Sequence, residues 1–147
     1  MSPTRRERQI LGLEHELAVL VRRLKRVISE RARTVHEELT PAGYLILTYV
    51  VEKGSVRPSE VGNAFDLDKG AVSRQIQLLV DLGLATKERD PDDGRAWVVR
   101  PTDAALERTS AMAAARRARL GQRLEDWADE DLEGFVATLA RYNTTLE

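Results

Sequence analysis

The order of breaks and periodic runs between Val56 and Pro101 constrains this chain more than any other feature. Pro58 opens a short run with Val61 and Phe65 on one side, and Asp66-Leu67 interrupts it. Asp68 is placed to cap a second helix that reaches about Asp81, and Gly83 ends it. Two strand-like runs follow, Leu84–Arg89 and Arg95–Val99, joined by the Asp-, Pro- and Gly-rich turn Asp90-Pro91-Asp92-Asp93-Gly94. Val56-Arg57 is long enough to add one short strand to that hairpin. Short helix, turn, helix, strand, tight charged loop and strand together predict a helix-turn-helix with a two-stranded wing.

The flanks read as helices. Residues 7–37 carry apolar side chains at Ile10, Leu13, Leu17, Leu20, Leu24 and Val27, in steps of three and four that end at Arg31. That is the spacing of a helix–helix seam. Thr40 and Pro41 restart the chain as N-cap and first helical residue of a helix that buries Leu45, Ile46, Tyr49 and Val50 and stops at Gly54. Beyond Pro101 a fifth helix is expected over 102–126. A sixth, capped by Asp129, carries Leu132, Phe135, Val136, Leu139, Tyr142 and Leu146. The fold class is mainly α with a small β-hairpin wing (α+β), a single domain over 1–147. Within it, 40–101 form the winged helix, and 1–39 and 102–147 a helical dimerisation region. The terminal stripes have no third partner in the chain, so a homodimer is the simplest way to cover them.

Composition removes several classes of function. The chain has no cysteine, which excludes disulfides, thiolate metal sites and thiol chemistry. His15 and His36 are the only histidines, and they read as surface or interface residues, with no metal expected. No apolar run approaches the roughly 18 residues of a membrane span. The segment Met1-Ser2-Pro3-Thr4-Arg5-Arg6 lacks the apolar core of a secretory signal, so a cytoplasmic location is expected. No nucleophile–base pair, phosphate loop or zinc spacing is found, which argues against an enzyme, and no cofactor is expected.

A helix of this size fits the DNA major groove, and the hairpin reaches the neighbouring minor groove. Double-stranded DNA is therefore the expected partner. Net charge does not make this case. The chain carries −1 overall, and residues 53–100 hold eight basic and eight acidic residues. The placement of individual side chains must make it. Lys69, Gly70, Ser73, Arg74 and Gln77 share the polar face of the fourth helix, with Asp81 at its end. Lys87 and Arg89 suit phosphate better than base contacts. Arg95, in the wing, suits the narrow and negative minor groove, against the simpler reading of a solvated ion pair with Asp92 or Asp93. Trp97 reads as packing, and Trp127 and Tyr142 as dimer packing. Arg116-Arg117-Ala118-Arg119 reads as a solvated helix face or, less simply, a contact to DNA flanks or an anionic effector.

These residues resemble the multiple antibiotic resistance regulator (MarR) family of bacterial winged-helix repressors across nearly the whole chain. The resemblance rests on Ser59-Glu60-Val61, Ala71-Val72-Ser73-Arg74, Gly83-Leu84-Ala85, Thr102 and, above all, Asp93-Gly94-Arg95, which looks like the family's Asp-x-Arg wing motif. It implies a two-fold homodimer held by the first, fifth and sixth helices. It also implies a fourth helix in the major groove, Arg95 in the minor groove and Asp93 positioning that arginine. Many relatives leave DNA on binding small aromatic or anionic compounds. Three positions depart from the pattern: Arg57 where a Thr or Ser cap is common, Pro101 in place of an aliphatic residue, and Ala105 in place of Gly. A second class of function stays open, a winged-helix protein–protein module that has lost DNA binding, as a neutral 53–100 segment permits.

Overall fold

The computed structural model describes residues 3–146; Met1, Ser2 and Glu147 lie outside the described residues, and with them part of the N-terminal segment read above. Six helices and one antiparallel hairpin are found among them, in the order α1 (Arg5–Val35), α2 (Pro41–Lys53), α3 (Pro58–Phe65), α4 (Lys69–Asp81), β1 (Ala85–Arg89), β2 (Trp97–Pro101), α5 (Asp103–Arg123) and α6 (Asp129–Thr144). This is the mainly helical winged-helix architecture expected. The chain divides into two compact units, one ending at Ser110 and one beginning at Ala111.

Local chemistry sets most of the boundaries. Thr4 caps α1 in a reciprocal box with Glu7, so the helix begins two residues earlier than the apolar stripe suggests and ends at Val35 instead of 37. The Thr4 backbone and hydroxyl donors hold the Glu7 carboxyl below its ordinary range. The Thr40 hydroxyl accepts from the Gly43 N–H at 3.0 Å, with Pro41 first in α2. Gly54 closes that helix at φ 75°, a backbone conformation that favours glycine. Asp68 caps α4 through the Ala71 N–H at 2.8 Å.

Two expectations are corrected here. The buried face of α2 is Gly43, Tyr44, Ile46, Leu47 and Val50, while Leu45 is exposed and Tyr49 half-buried. This helix is apolar almost all round, so periodicity leaves its frame open, and packing against α1, α4 and β2 selects it. Tyr49 instead meets Phe65 of α3 edge-on, ring centroids 5.6 Å apart. In α6, Ala128 and not Asp129 occupies the cap position, and it makes no side-chain capping bond. Asp129, Glu130 and Asp131 fill the first turn, where carboxylates complement the helix dipole.

The core of the first unit gathers Ile46, Leu47, Val50, Val56, Val61, Val72, Ile76, Leu79, Leu84 and Val99, all essentially inaccessible to solvent. Val56 exchanges both backbone hydrogen bonds with Val99, at 3.0 and 2.8 Å, so the expected extra strand is a single bridge. At the far end of the wing the Thr102 hydroxyl donates to the Gly83 carbonyl at 2.7 Å and accepts from the Ala105 N–H at 3.2 Å. One side chain thus ties the exit of α4 to the start of α5. Ala105 is fully buried there. The Arg108 guanidinium donates to the Val35 carbonyl at 3.1 Å, which satisfies an open acceptor at the end of α1.

Candidate nucleic-acid interface

α3 and α4 form the helix-turn-helix. Asp66 turns the chain in the left-handed region, at φ 51°, which Asp tolerates better than most residues. α4 then buries Val72, Ile76 and Leu79 and turns its other side outward. Lys69, Gly70, Ser73, Arg74 and Gln77 are all exposed there. A side chain at Gly70 would start 3.3 Å from both Arg74 Nη1 and Asp68 Oδ1. The glycine leaves room for the Arg74 guanidinium to lie back over the first turn. Gln77 Nε2 donates to Asp81 Oδ1 at 2.8 Å, which fixes its amide along the helix surface.

The wing is the second part. β1 and β2 pair from Ala85↔Pro101 to Arg89↔Trp97. The second strand begins at Trp97, two residues later than the sequence suggests, because Arg95 and Ala96 belong to the turn. Asp93 Oδ1 accepts from the Arg95 N–H at 3.1 Å, and the Asp93 carbonyl accepts from the Ala96 N–H at 2.9 Å. Asp93 therefore holds the backbone of Arg95. Among the described residues, no ion pair engages the Arg95 guanidinium.

Lys87 and Arg89 do not stand free on the strand. The Lys87 Nζ lies 4.8 Å and the Arg89 guanidinium carbon 4.1 Å from the centroid of the Trp97 ring. Trp97, read from the sequence as a packing residue, is exposed and packs against these two cations. Arg89 sits opposite Trp97 on the last rung of the ladder, and strand alternation puts Lys87 on the same face. On the other face Glu88 and Arg100 form an exposed ion pair at 3.3 Å.

The pair that sequence reasoning missed is Arg57–Asp90. Arg57 Nη2 donates to Asp90 Oδ2 at 2.6 Å, joining the start of α3 to the base of the wing. Asp90 is buried and also accepts from the Asp92 N–H at 2.9 Å. The Asp92 amide first, and then Arg57, hold the Asp90 carboxyl below the usual range, against the opposing effect of burial. A signal was available. An arginine cannot accept a helix N–H, so at a cap position it must serve something else. Glu60 supplies the other half of the cap, accepting from the Arg57 N–H at 2.6 Å.

Comparison with known proteins decides the family. Residues 38–96 match the MarR family. The uncharacterized HTH-type transcriptional regulator YxaD of Bacillus subtilis (strain 168) is 30% identical over 131 residues, which are 89% of this chain and 90% of that protein. The chain belongs to the MarR family. The winged helix of other MarR-family structures is the same fold. A MarR protein from Peptoclostridium difficile superposes with a TM-score of 0.74 at 20% identity, over 92% of this chain and 87% of that one. A mutant MarR from E. coli, solved in complex with operator DNA, superposes with a TM-score of 0.69 at 18% identity, over 91% and 95%. MarR-family proteins are transcriptional regulators and not enzymes.

His36 caps the end of α1, and its Nδ1 accepts from the Glu38 N–H at 3.1 Å. No cluster of three metal-ligating side chains occurs among the described residues. No described helix is long and apolar enough to cross a membrane. Arg116, Arg117 and Arg119 are exposed on α5 in the second unit.

Proposed function

We propose that this protein is a DNA-binding transcriptional repressor that acts in the cytoplasm as a homodimer on a near-palindromic operator. Its winged helix, 40–101, reads the DNA, and its helices at 1–39 and 102–147 pair with those of a second copy. One observation carries the reading. The exposed face of α4 presents Lys69, Gly70, Ser73, Arg74 and Gln77 together, next to a wing whose Asp93-held tip offers an unpaired Arg95. In this reading α4 enters the major groove and Arg95 the minor groove. Lys87 and Arg89 flank the phosphates, and Asp93 positions the wing. The operator complex of the E. coli relative and the 26mer DNA complex of a Listeria monocytogenes relative support DNA as the partner. Release by a small aromatic or anionic effector is the regulation that family membership suggests.

The test is fluorescence anisotropy on a duplex from the protein's own promoter and on random DNA, over a salt series. Arg74→Ala should cost about 1–3 kcal/mol on the specific site and little on random DNA if the side chain reads a guanine edge. Arg95→Ala should weaken A·T-flanked sites most. Lys87→Ala should weaken both DNAs alike and lower the salt slope by about one unit. Wild-type affinity in both the Arg74 and Arg95 variants would overturn the assignment. It would favour the protein–protein module, which the equal numbers of acidic and basic residues in 53–100 make the second reading.

A further inference from the structure

The wing tip has little to hold it. An added side chain at Gly94 would meet nothing within 4 Å, and residues 91–95 are all exposed. The Arg95 peptide is nevertheless fixed on both sides. Its N–H is held by Asp93, and its carbonyl accepts from Arg89 Nη1 at 3.3 Å. The same Arg89 guanidinium lies 4.1 Å from the centroid of the Trp97 ring. Below this point the Asp90 N–H donates to the Ala96 carbonyl at 2.9 Å and closes the loop.

We infer that Trp97 is a positioning residue for the wing tip, acting through Arg89 to fix the conformation from which Arg95 projects. The indole face orients the guanidinium plane, and one edge of that plane binds the Arg95 carbonyl. A planar, five-donor guanidinium can stack and donate at once, whereas a lysine ammonium is a point charge and cannot. Lys87 Nζ also lies 4.8 Å from the ring centroid. It follows that Arg89 and Lys87, neighbours on one face, do different work. Arg89 ties down the wing tip through Nη1 and has its other donors left for phosphate, whereas Lys87 makes no such tie. The consequence for Arg95 in the minor groove rests on the DNA-binding function proposed above.

Full-length Trp97→Leu, Trp97→Phe, Arg89→Ala and Arg89→Lys variants test this in two ways. The first is amide–solvent exchange by NMR. Trp97→Leu, Arg89→Ala and Arg89→Lys should speed exchange at the Arg95 and Ala96 amides by roughly two- to fivefold, the factor expected for losing an exposed cation–π contact. Trp97→Phe should restore most of the protection, and the Val56 and Val99 amides should not change. Unchanged exchange at Arg95 in Trp97→Leu, or equal acceleration at Val99, would overturn the proposal. The second is anisotropy on an A·T-flanked duplex. Trp97→Leu should cost about two- to fivefold when Arg95 is present and nothing in an Arg95→Ala background. An equal loss in both backgrounds would make Trp97 a DNA contact in its own right and overturn the positioning role. A wild-type protein that binds no duplex would remove the DNA reading alone, because the exchange measurement still decides whether Trp97 holds the tip.

Discussion

The winged-helix core and the apolar stripes of the terminal helices are built from the same kinds of residue and meet different fates. Leu47, Ile76, Leu79 and Leu84 are wholly buried within one chain. Ile10, Leu13, Leu20 and Leu24 on α1, and Phe135, Val136 and Leu139 on α6, are exposed. α6 has no buried residue at all, and α1 buries only Ala32 and Val35, near its end. An amphipathic pattern thus says that a face must be covered and not what covers it. α2, α3, α4 and the hairpin cover one another. The terminal stripes leave large apolar side chains exposed, as interaction sites do, and the homodimer proposed above would cover them with the same helices of a second copy.

The largest expected effect tests the open side of this comparison. Leu132→Glu together with Leu139→Glu places two carboxylates seven residues apart on one face of α6. Burying them against a partner is prohibitive. Light scattering at micromolar concentration should show the wild type as a dimer and the variant as a monomer or an aggregate. A monodisperse monomer for the wild type would break the comparison, since the exposed stripes would then need no partner.

The closed side should respond by ordinary cavity energetics. Leu47→Ala should lower the unfolding free energy by about 2–5 kcal/mol in urea, because Leu47 is fully buried and its neighbours cannot all collapse into the space. A loss under about 1 kcal/mol would mean that this core is far looser than its burial implies.

The smallest effect concerns the joint between α3 and the wing. The carboxyl of Asp90 is depressed in the folded protein by the Asp92 amide and by Arg57. Its stabilising contribution is therefore complete above the ordinary carboxylate range. It is lost as pH falls through that range towards the folded-state value. Asp90→Asn should flatten the acid side of a thermal-midpoint profile and leave its shape above neutrality unchanged. An unaltered acid limb would show that the Arg57–Asp90 pair does not fasten the wing.

Much of this was legible in the sequence. The helix-turn-helix, the wing and the polar face of α4 were visible because proline, glycine and capping residues act within a few positions of themselves. The candidate DNA-facing residues on α4 could be named for the same reason. A helix with Val72, Ile76 and Leu79 inward must turn Ser73, Arg74 and Gln77 outward. The roles of the wing residues were harder to read. Lys87 and Arg89 looked alike, and only the hydrogen bond from Arg89 to the Arg95 carbonyl tells them apart.

By itself, then, the sequence determined where α2 and α4 begin and end. Thr40 with Pro41, Gly54, Asp68 and Gly83 each satisfy or release backbone groups of their own segment. Tertiary structure decided what local rules cannot reach. It selected Tyr44 and Leu47 over Leu45 for the buried face of α2. It joined Arg57 to Asp90 across 33 residues of chain, and it placed Arg89 on Trp97 across the hairpin. Caps and turns depend on neighbours a few positions away. Ion pairs and ring contacts depend on which distant surfaces meet, and folding brings those surfaces together only when the whole apolar core closes.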